Sequence, residues 1–389
     1  MKLTRRRFLG QTGMTAATSM VSATGFGQQP ETTAKHPRDV EEYLKGVYAE
    51  KNRHFSFRPE SPGGFQRWQA AARRALRKLI GLENIAKHVA THKPTVKLDD
   101  KLLDRKEYTI RKGQIETEPN IRIPFWLLRP NGKGPFPLAV LPHGHDRHGH
   151  DTYAGIYHGK AHRAKSLAQD GDVAVQAAKR GFVAIAPAIR GLASAANGVP
   201  DVFNRHGNRD CRSHFMHCLL AGRTAVGERV WDMSRLIDWA VELPEVNAKK
   251  VLMMGNSGGG VVTMYASACD ERVSIAVPSC SFSVIASRKG RITHCDCCAI
   301  PGILRWGELY DVCGLIAPRH LLAVNGVKDK LHTATDINRS AGRVRAIFKA
   351  AGVADHFQHR WGQAGHRFYK DLMWPFVKKA THSSEANNK

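Results

Sequence analysis

The stretch VLMMGNSGGGV, residues 251–261, constrains the architecture more than any other part of the chain. Its apolar run reads as a buried strand, its glycines close a turn too tight for side chains, and the small residues after it open a helix. A strand, turn and helix of this kind sits in a mainly parallel sheet, with Ser257 lifted at the sheet's carboxyl edge. A Gly-x-Ser-x-Gly match alone is weak, because glycine and serine are common in turns. The flanking strand and helix are what make Ser257 a candidate nucleophile.

The rest of the chain fits such a sheet. From Tyr108 onward, short apolar or alternating runs recur as IRIPFWLLRP, PLAVLPHG, GFVAIAPAIRG, VSIAVPSC, HLLAVNG and FQHRWG. Helical patterns lie between several of them, such as Val226, Val230, Met233 and Ile237. Strands alternating with helices predict an α/β fold with a mainly parallel central sheet covered by helices on both faces. Ahead of it, Phe65, Trp68, Ala72, Leu76 and Leu79 recur at helical steps opposite Arg67, Arg73, Arg74 and Lys78, and Gly81 supplies a stop. They place an N-terminal helical segment on the main domain. The stretch from Gly191 to about Arg223 has little periodicity and reads as a long loop, a common form for a lid or site wall.

A serine hydroxyl is a poor nucleophile until a base takes its proton and a third group holds that base. In this architecture the chain order is serine, acid, histidine. His366, in GQAGHRFY after the last predicted strand, is the expected base; His382 in the polar tail is a poor rival. Asp329, in NGVKD after the penultimate strand, is the expected acid, with Asp336 and Asp311 as alternatives. The loop PHGHDRHGH after the first parallel strand offers the backbone N–H of His145 to join that of Gly258 as an oxyanion hole.

From about Tyr108 to Phe376 the chain resembles the α/β-hydrolase superfamily, and within it the acetyl-xylan-esterase-like and dienelactone-hydrolase-like group. The resemblance is carried by PHGH, GRTAVGERVWDMSRLIDWAVELPEV, GNSGGG, LIAPRHLLAVNGVKD and GHRFY. It implies carboxylic ester hydrolysis through an acyl-serine, with Ser257 as nucleophile, Asp329 as orienting acid and His366 as base. The chain departs from well-studied deacetylases of this kind at Arg190-Gly191-Leu192-Ala193, where those carry Arg-Gly-x-Gly.

Two other clusters compete for attention. His143, His145, His148 and His150 approximate a di-zinc motif, but Arg147 stands where a ligating aspartate belongs. His294-Cys295-Asp296-Cys297-Cys298 is one crowded set, whereas a tetrahedral site usually takes two spaced sets. The expectation is therefore no metal and no cofactor, with the cysteines as disulfides or buried thiols and Cys211 and Cys218 as possible partners. Trp231 and Trp239, on one predicted helix, are expected in the core rather than as a sugar platform.

The first residues, MKLTRRRFLGQTG, read as a twin-arginine export signal, which predicts a periplasmic or secreted protein with no integral membrane span. The expected division is signal and linker over 1–29, a helical segment over 30–104, the catalytic domain over 105–380 and a polar tail over 381–389. The formal charge of +25 stays strongly basic once Lys2, Arg5, Arg6 and Arg7 are cut away. Such a field suits an anionic surface or wall polysaccharide; nucleic acid is not expected, because no nucleic-acid-binding signature accompanies the scattered cations. The expected substrate is a small ester or an acylated polysaccharide. An amidase or peptidase of the same fold, a catalytically silent polyanion-binding protein, and a metal hydrolase built on the His143–His150 loop are the alternatives.

Overall fold

The computed structural model describes residues 39–60, 63–89, 91–193, 198–287, 289–290 and 295–386, with side chains to residue 382. The expected signal over 1–29 lies outside the described residues. The chain divides into two compact units, Met1–Gly46 and Val47–Lys389. Helix α1 (Val40–Val47), which lies in the first up to Gly46, buries none of its residues and exposes Val40, Tyr43 and Leu44.

In the second unit the described residues form a nine-stranded sheet in the order β1-β2-β3-β5-β4-β6-β7-β8-β9. Strands β1 (Thr95–Asp104), β2 (Tyr108–Glu118) and β3 (Ile121–Pro130) are an antiparallel meander joined to β5 (Val183–Pro187). From β5 onward β4 (Phe136–Val140), β6 (Val246–Asn256), β7 (Val273–Ser279), β8 (His320–Gly326) and β9 (Phe357–Gly362) run parallel. The inner parallel strands β4–β8 are largely buried, so they read in sequence as apolar runs, whereas the edge strand β9 keeps Arg360 exposed.

Helices cover both faces. On one lie α2 (Gly64–Leu79), α3 (Leu82–His88), α7 (Asp210–Leu220), α8 (Ala225–Ala240), α9 (Gly258–Cys269), α10 (Ile303–Trp306), α11 (Leu309–Gly314) and α12 (Ala334–Ala350), sharing a core with Phe65, Trp68, Leu76, Met253 and Phe348. On the other, α4 (Gly149–Tyr153), α6 (Val173–Ala178) and α13 (Lys370–Ala386) enclose a core that includes Tyr153, Val173, Met373 and Trp374. Between α4 and α6 runs α5 (Lys160–Ala168), mostly exposed. This is the α/β-hydrolase fold, and all the parallel strands deliver their carboxyl ends to one edge. Trp231 and Trp239 pack as expected: Trp231 Nε1 donates to the Thr117 carbonyl at 2.9 Å, and Trp239 lies on Phe125 with ring centres 5.4 Å apart.

Three boundaries differ from the sequence reading. The segment 30–104 is not helical to its end, because Thr95–Asp104 is strand β1. Its residues are mostly exposed and its leucines fall at helix-like spacing, so alternation is hidden and the pairing with β2 decides the structure. The tail after residue 380 continues α13 to Ala386, with Thr381 and His382 bonding back to the Val377 and Lys378 carbonyls. The stretch 191–223 contains α7, whose buried residues are Cys211, Ser213, His214 and Cys218. A helix that buries polar groups shows no apolar period.

Candidate active site

Ser257 follows the last residue of β6 with φ 58° and ψ −125°, a left-handed conformation that a non-glycine residue adopts only when its surroundings hold it there. Its N–H donates to the Ser279 carbonyl at 2.9 Å and its own carbonyl accepts from Val261 at 3.1 Å, tying the turn to β7 and to α9. The neighbouring glycines are required sterically. A Cβ on Gly259 would stand 2.0 Å from the Pro142 carbonyl oxygen, and one on Gly255 would stand 2.5 Å from that same oxygen. The loop leaving β4 thus lies directly on the elbow.

His366 and Asp329, on separate loops after β9 and β8, are brought together: His366 Nδ1 donates to Asp329 Oδ2 at 2.8 Å. Asp329 Oδ1 accepts from the Leu331 N–H at 3.0 Å. Burial pushes the Asp329 carboxyl up, but the hydrogen bonds from His366 and Leu331 outweigh it and hold the group below its ordinary value. The bond to Nδ1 fixes the imidazole so that Nε2 is the nitrogen left for chemistry. His366 lines the same 510 Å³ cleft as Ser257. The alternative acids are elsewhere: Asp336 starts α12, and Asp311 accepts from the Glu308 and Phe57 N–H groups.

Cys280 and Tyr153 were not singled out by the sequence reading. Cys280 is buried with φ 52°, its sulfur 3.4 Å from the Arg367 carbonyl, and its Sγ, a carboxylate oxygen of Asp329 and a ring nitrogen of His366 lie within 4.8 Å of one another. Burial pushes its thiol up to about 11, so it stays neutral beneath the histidine–aspartate pair. Tyr153 is buried in the cleft wall, and its hydroxyl accepts from the Asn256 N–H at 3.4 Å. Neither has a sequence signal, since each is defined by a partner far along the chain.

The four histidines after β4 do not converge. His143 is fully buried, its Nε2 accepts from the Ile189 N–H at 2.9 Å, and burial pushes it down to about 3, so it is a neutral strut. His150 is buried, and His148 stacks on His158 at 3.9 Å. His145 turns Nε2 to Cys297 Sγ at 3.3 Å. A Cβ on Gly258 would lie 3.2 Å from His145 Nδ1, so His145 and Gly258, the two expected oxyanion donors, belong to segments in contact. Arg190 of the departing Arg-Gly-Leu-Ala stretch is not in the cleft: it is buried among Glu118, Glu228 and Asp232.

Residues 120–364 match the model of a family described as X-Pro dipeptidyl-peptidase (S15 family). The protein YtaP of Bacillus subtilis (strain 168), which carries the name of a hydrolase, is 24% identical over 155 residues, a match taking in 39% of this chain and 52% of that protein. The chain thus spans about half the length of the curated relative it matches. Among solved structures, a Bacteroides fragilis NCTC 9343 protein described as an acetyl xylan esterase superposes with a TM-score of 0.69 at 16% identity, covering 88% of this chain and 95% of that one. The glucuronoyl esterase from Solibacter usitatus superposes with a TM-score of 0.61 at 14% identity, covering 85% and 97%. At these identities the likeness carries the fold.

Proposed function

The chain belongs to the X-Pro dipeptidyl-peptidase (S15) family of hydrolases, and from that membership and the geometry of the cleft we propose that it is a serine esterase acting on carboxylic esters, among them acetyl esters of polysaccharide. The observation that carries this reading is that Ser257, in its left-handed elbow, and His366, hydrogen-bonded to Asp329, line one cleft. His366 Nε2 takes the Ser257 Oγ proton as Oγ attacks the ester carbonyl. The oxyanion rests on backbone N–H groups at Gly258 and His145, beside the positive end of α9. His366 then gives its proton to the departing alkoxide, which leaves an acyl-serine. Water, deprotonated by the same histidine, releases the acid and restores the serine.

The lining of the cleft favours an ester over the dipeptidyl substrate in the family's description. Its charged side chains include Arg147, Lys165 and Arg367, the last ion-paired with Asp170 behind the wall, with Asp146 the one acid among the described lining residues. Asp146 is already engaged, accepting from the His148 N–H at 2.9 Å. A free α-ammonium group would meet like charge there, whereas a neutral or acidic sugar ester would not. Two fold neighbours are described as an acetyl xylan esterase and a glucuronoyl esterase, which agrees with this choice. The expected division of the chain keeps residues 105–380 as the catalytic part. The twin-arginine leader would export it, and no described helix is long and apolar enough to cross a membrane.

The test is a side-by-side assay of a chromogenic acetate ester and a chromogenic Xaa-Pro anilide. Turnover of the ester with no release from the anilide is expected; the reverse would establish the peptidase. Within this mechanism Gly259→Ala is expected to lower kcat about 100-fold, because its methyl would displace the β4 loop and with it the elbow. Steady-state kinetics on the acetate ester check it.

A further inference from the structure

His145, Cys211, Cys295 and Cys297 come from three separate segments, and one ligand atom from each lies within 4.8 Å of all the others. His145 follows β4, Cys211 lies in the first turn of α7, and Cys295 precedes and Cys297 lies within a short turn, Asp296–Cys298, ahead of α10. Cys297 Sγ lies 3.3 Å from His145 Nε2 and 3.5 Å from Cys295 Sγ. All these thiols are free. A tetrahedral zinc with Zn–S bonds of about 2.3 Å has ligand–ligand edges of about 3.5–3.8 Å, so these side chains need little movement to close on one ion.

A second observation bears on the charge of the sulfurs. Arg229, on α8, is 1% exposed, and among the described residues no carboxylate forms an ion pair with it. Its Nη1 donates to Cys297 Sγ at 3.4 Å and to the Cys297 carbonyl at 3.1 Å, its Nε donates to the Arg190 carbonyl at 3.0 Å, and its buried Nη2 has no hydrogen-bond partner among the described residues. A buried guanidinium facing neutral thiols would be an uncompensated charge. Three thiolates and a neutral imidazole around a divalent ion carry one net negative charge, which Arg229 balances. A disulfide would take two of the sulfurs and leave the third, and the guanidinium, without that balance.

We propose that His145 Nε2 and the sulfurs of Cys211, Cys295 and Cys297 bind one zinc ion in a closed Cys₃His site. With four protein ligands the ion has no open position for substrate, so its role is structural. Binding releases the thiol protons still present. The ion clamps the start of α7 and the Cys295–Cys297 turn to the loop that presents His145 beside Gly258, and so fixes one wall of the cleft. The site adjoins the serine chemistry through His145, whose side chain is a ligand and whose backbone N–H is the proposed oxyanion donor, but its metal count stands or falls independently of ester hydrolysis.

The test is elemental analysis of the purified full chain, together with Cys211→Ser and Cys295→Ser variants and Cys313→Ala as a control outside the cluster. About one zinc per chain is expected in wild type and control, falling at least tenfold in each serine variant. Cobalt-grown wild type should show the visible ligand-field bands and sulfur-to-cobalt charge transfer of a tetrahedral thiolate site, a readout that holds even where a variant does not fold. Wild type without bound metal, full metal content in both serine variants, or peptide mapping that finds Cys211 disulfide-bonded to Cys295 or Cys297 would each overturn the proposal.

Discussion

Replacing Ser257 with alanine is expected to lower kcat/KM for a small acetate ester by a factor of about 10⁴–10⁶ while leaving the fold intact. The size follows from the role proposed for the hydroxyl: without it no acyl-enzyme would form, and only the proposed oxyanion donors and binding contacts would remain to act on water. The fold should survive because the elbow is held by its backbone, through Ser257 N–H to the Ser279 carbonyl and through the close fit of Gly259 against Pro142. Alanine keeps that backbone, although at φ 58° it bears some strain. Circular dichroism and the urea midpoint separate this from unfolding. A variant that turns over at the wild-type rate would remove Ser257 from the chemistry.

The second large effect concerns stability. Arg190→Met is expected to cost about 3–5 kcal/mol at neutral pH, because it strands buried carboxylates rather than exchanging a pair. Arg190 Nη1 reaches Glu118 at 2.8 Å and Glu228 at 3.1 Å, and its Nε reaches Asp232 at 3.0 Å. Arg223 contacts Glu118 and Glu228 from the other side, and His214 donates to Glu228 at 3.0 Å, but neither touches Asp232 in these contacts. Burial pushes the Glu228 carboxyl up, yet His214, Arg190 and Arg223 overcome it and hold the group well below its ordinary 4.5. A carboxyl depressed in the fold stabilises the protein above its unfolded value and loses that contribution as pH falls through its folded value. Removing Arg190 takes away part of the depression. Asp232 is held above its ordinary value by burial even beside Arg190 and would rise further without it, so the gap between wild type and variant in urea titrations should be widest near pH 7 and narrow as pH falls and the stranded carboxylates take up protons. A gap that widens in acid would contradict the assignment of Arg190 as the counter-charge.

Much of the candidate site was legible because local rules produced it. The serine elbow was readable from one contiguous stretch, since a strand, a tight glycine turn and a helix within a few residues have one topological use. Asp329 and His366 were readable from chain order and from their places after the last two strands, even though they meet across separate loops. Strand β1 was misread because an exposed edge strand carries no face-to-face alternation and draws its order from pairing with β2. Helix α7 was missed because its inward face is built of cysteine, serine and histidine.

By itself the sequence determined which segments are strands buried on both faces, where the chain turns sharply, and therefore which serine could be a nucleophile. These properties depend on neighbours within a dozen residues and on the apolar free energy of each segment. The tertiary structure alone decided how polar groups distant in the chain pair. It gave Arg190 to three acids, His143 to the Ile189 N–H, and Cys211 to Cys295, Cys297 and His145. Such partnerships are set by directional contacts in a low-dielectric interior, where an unpaired charge or donor costs several kcal/mol. No local pattern encodes them, so the cysteines that looked like one crowded set became candidate ligands only once the fold had brought the other half of the set to them.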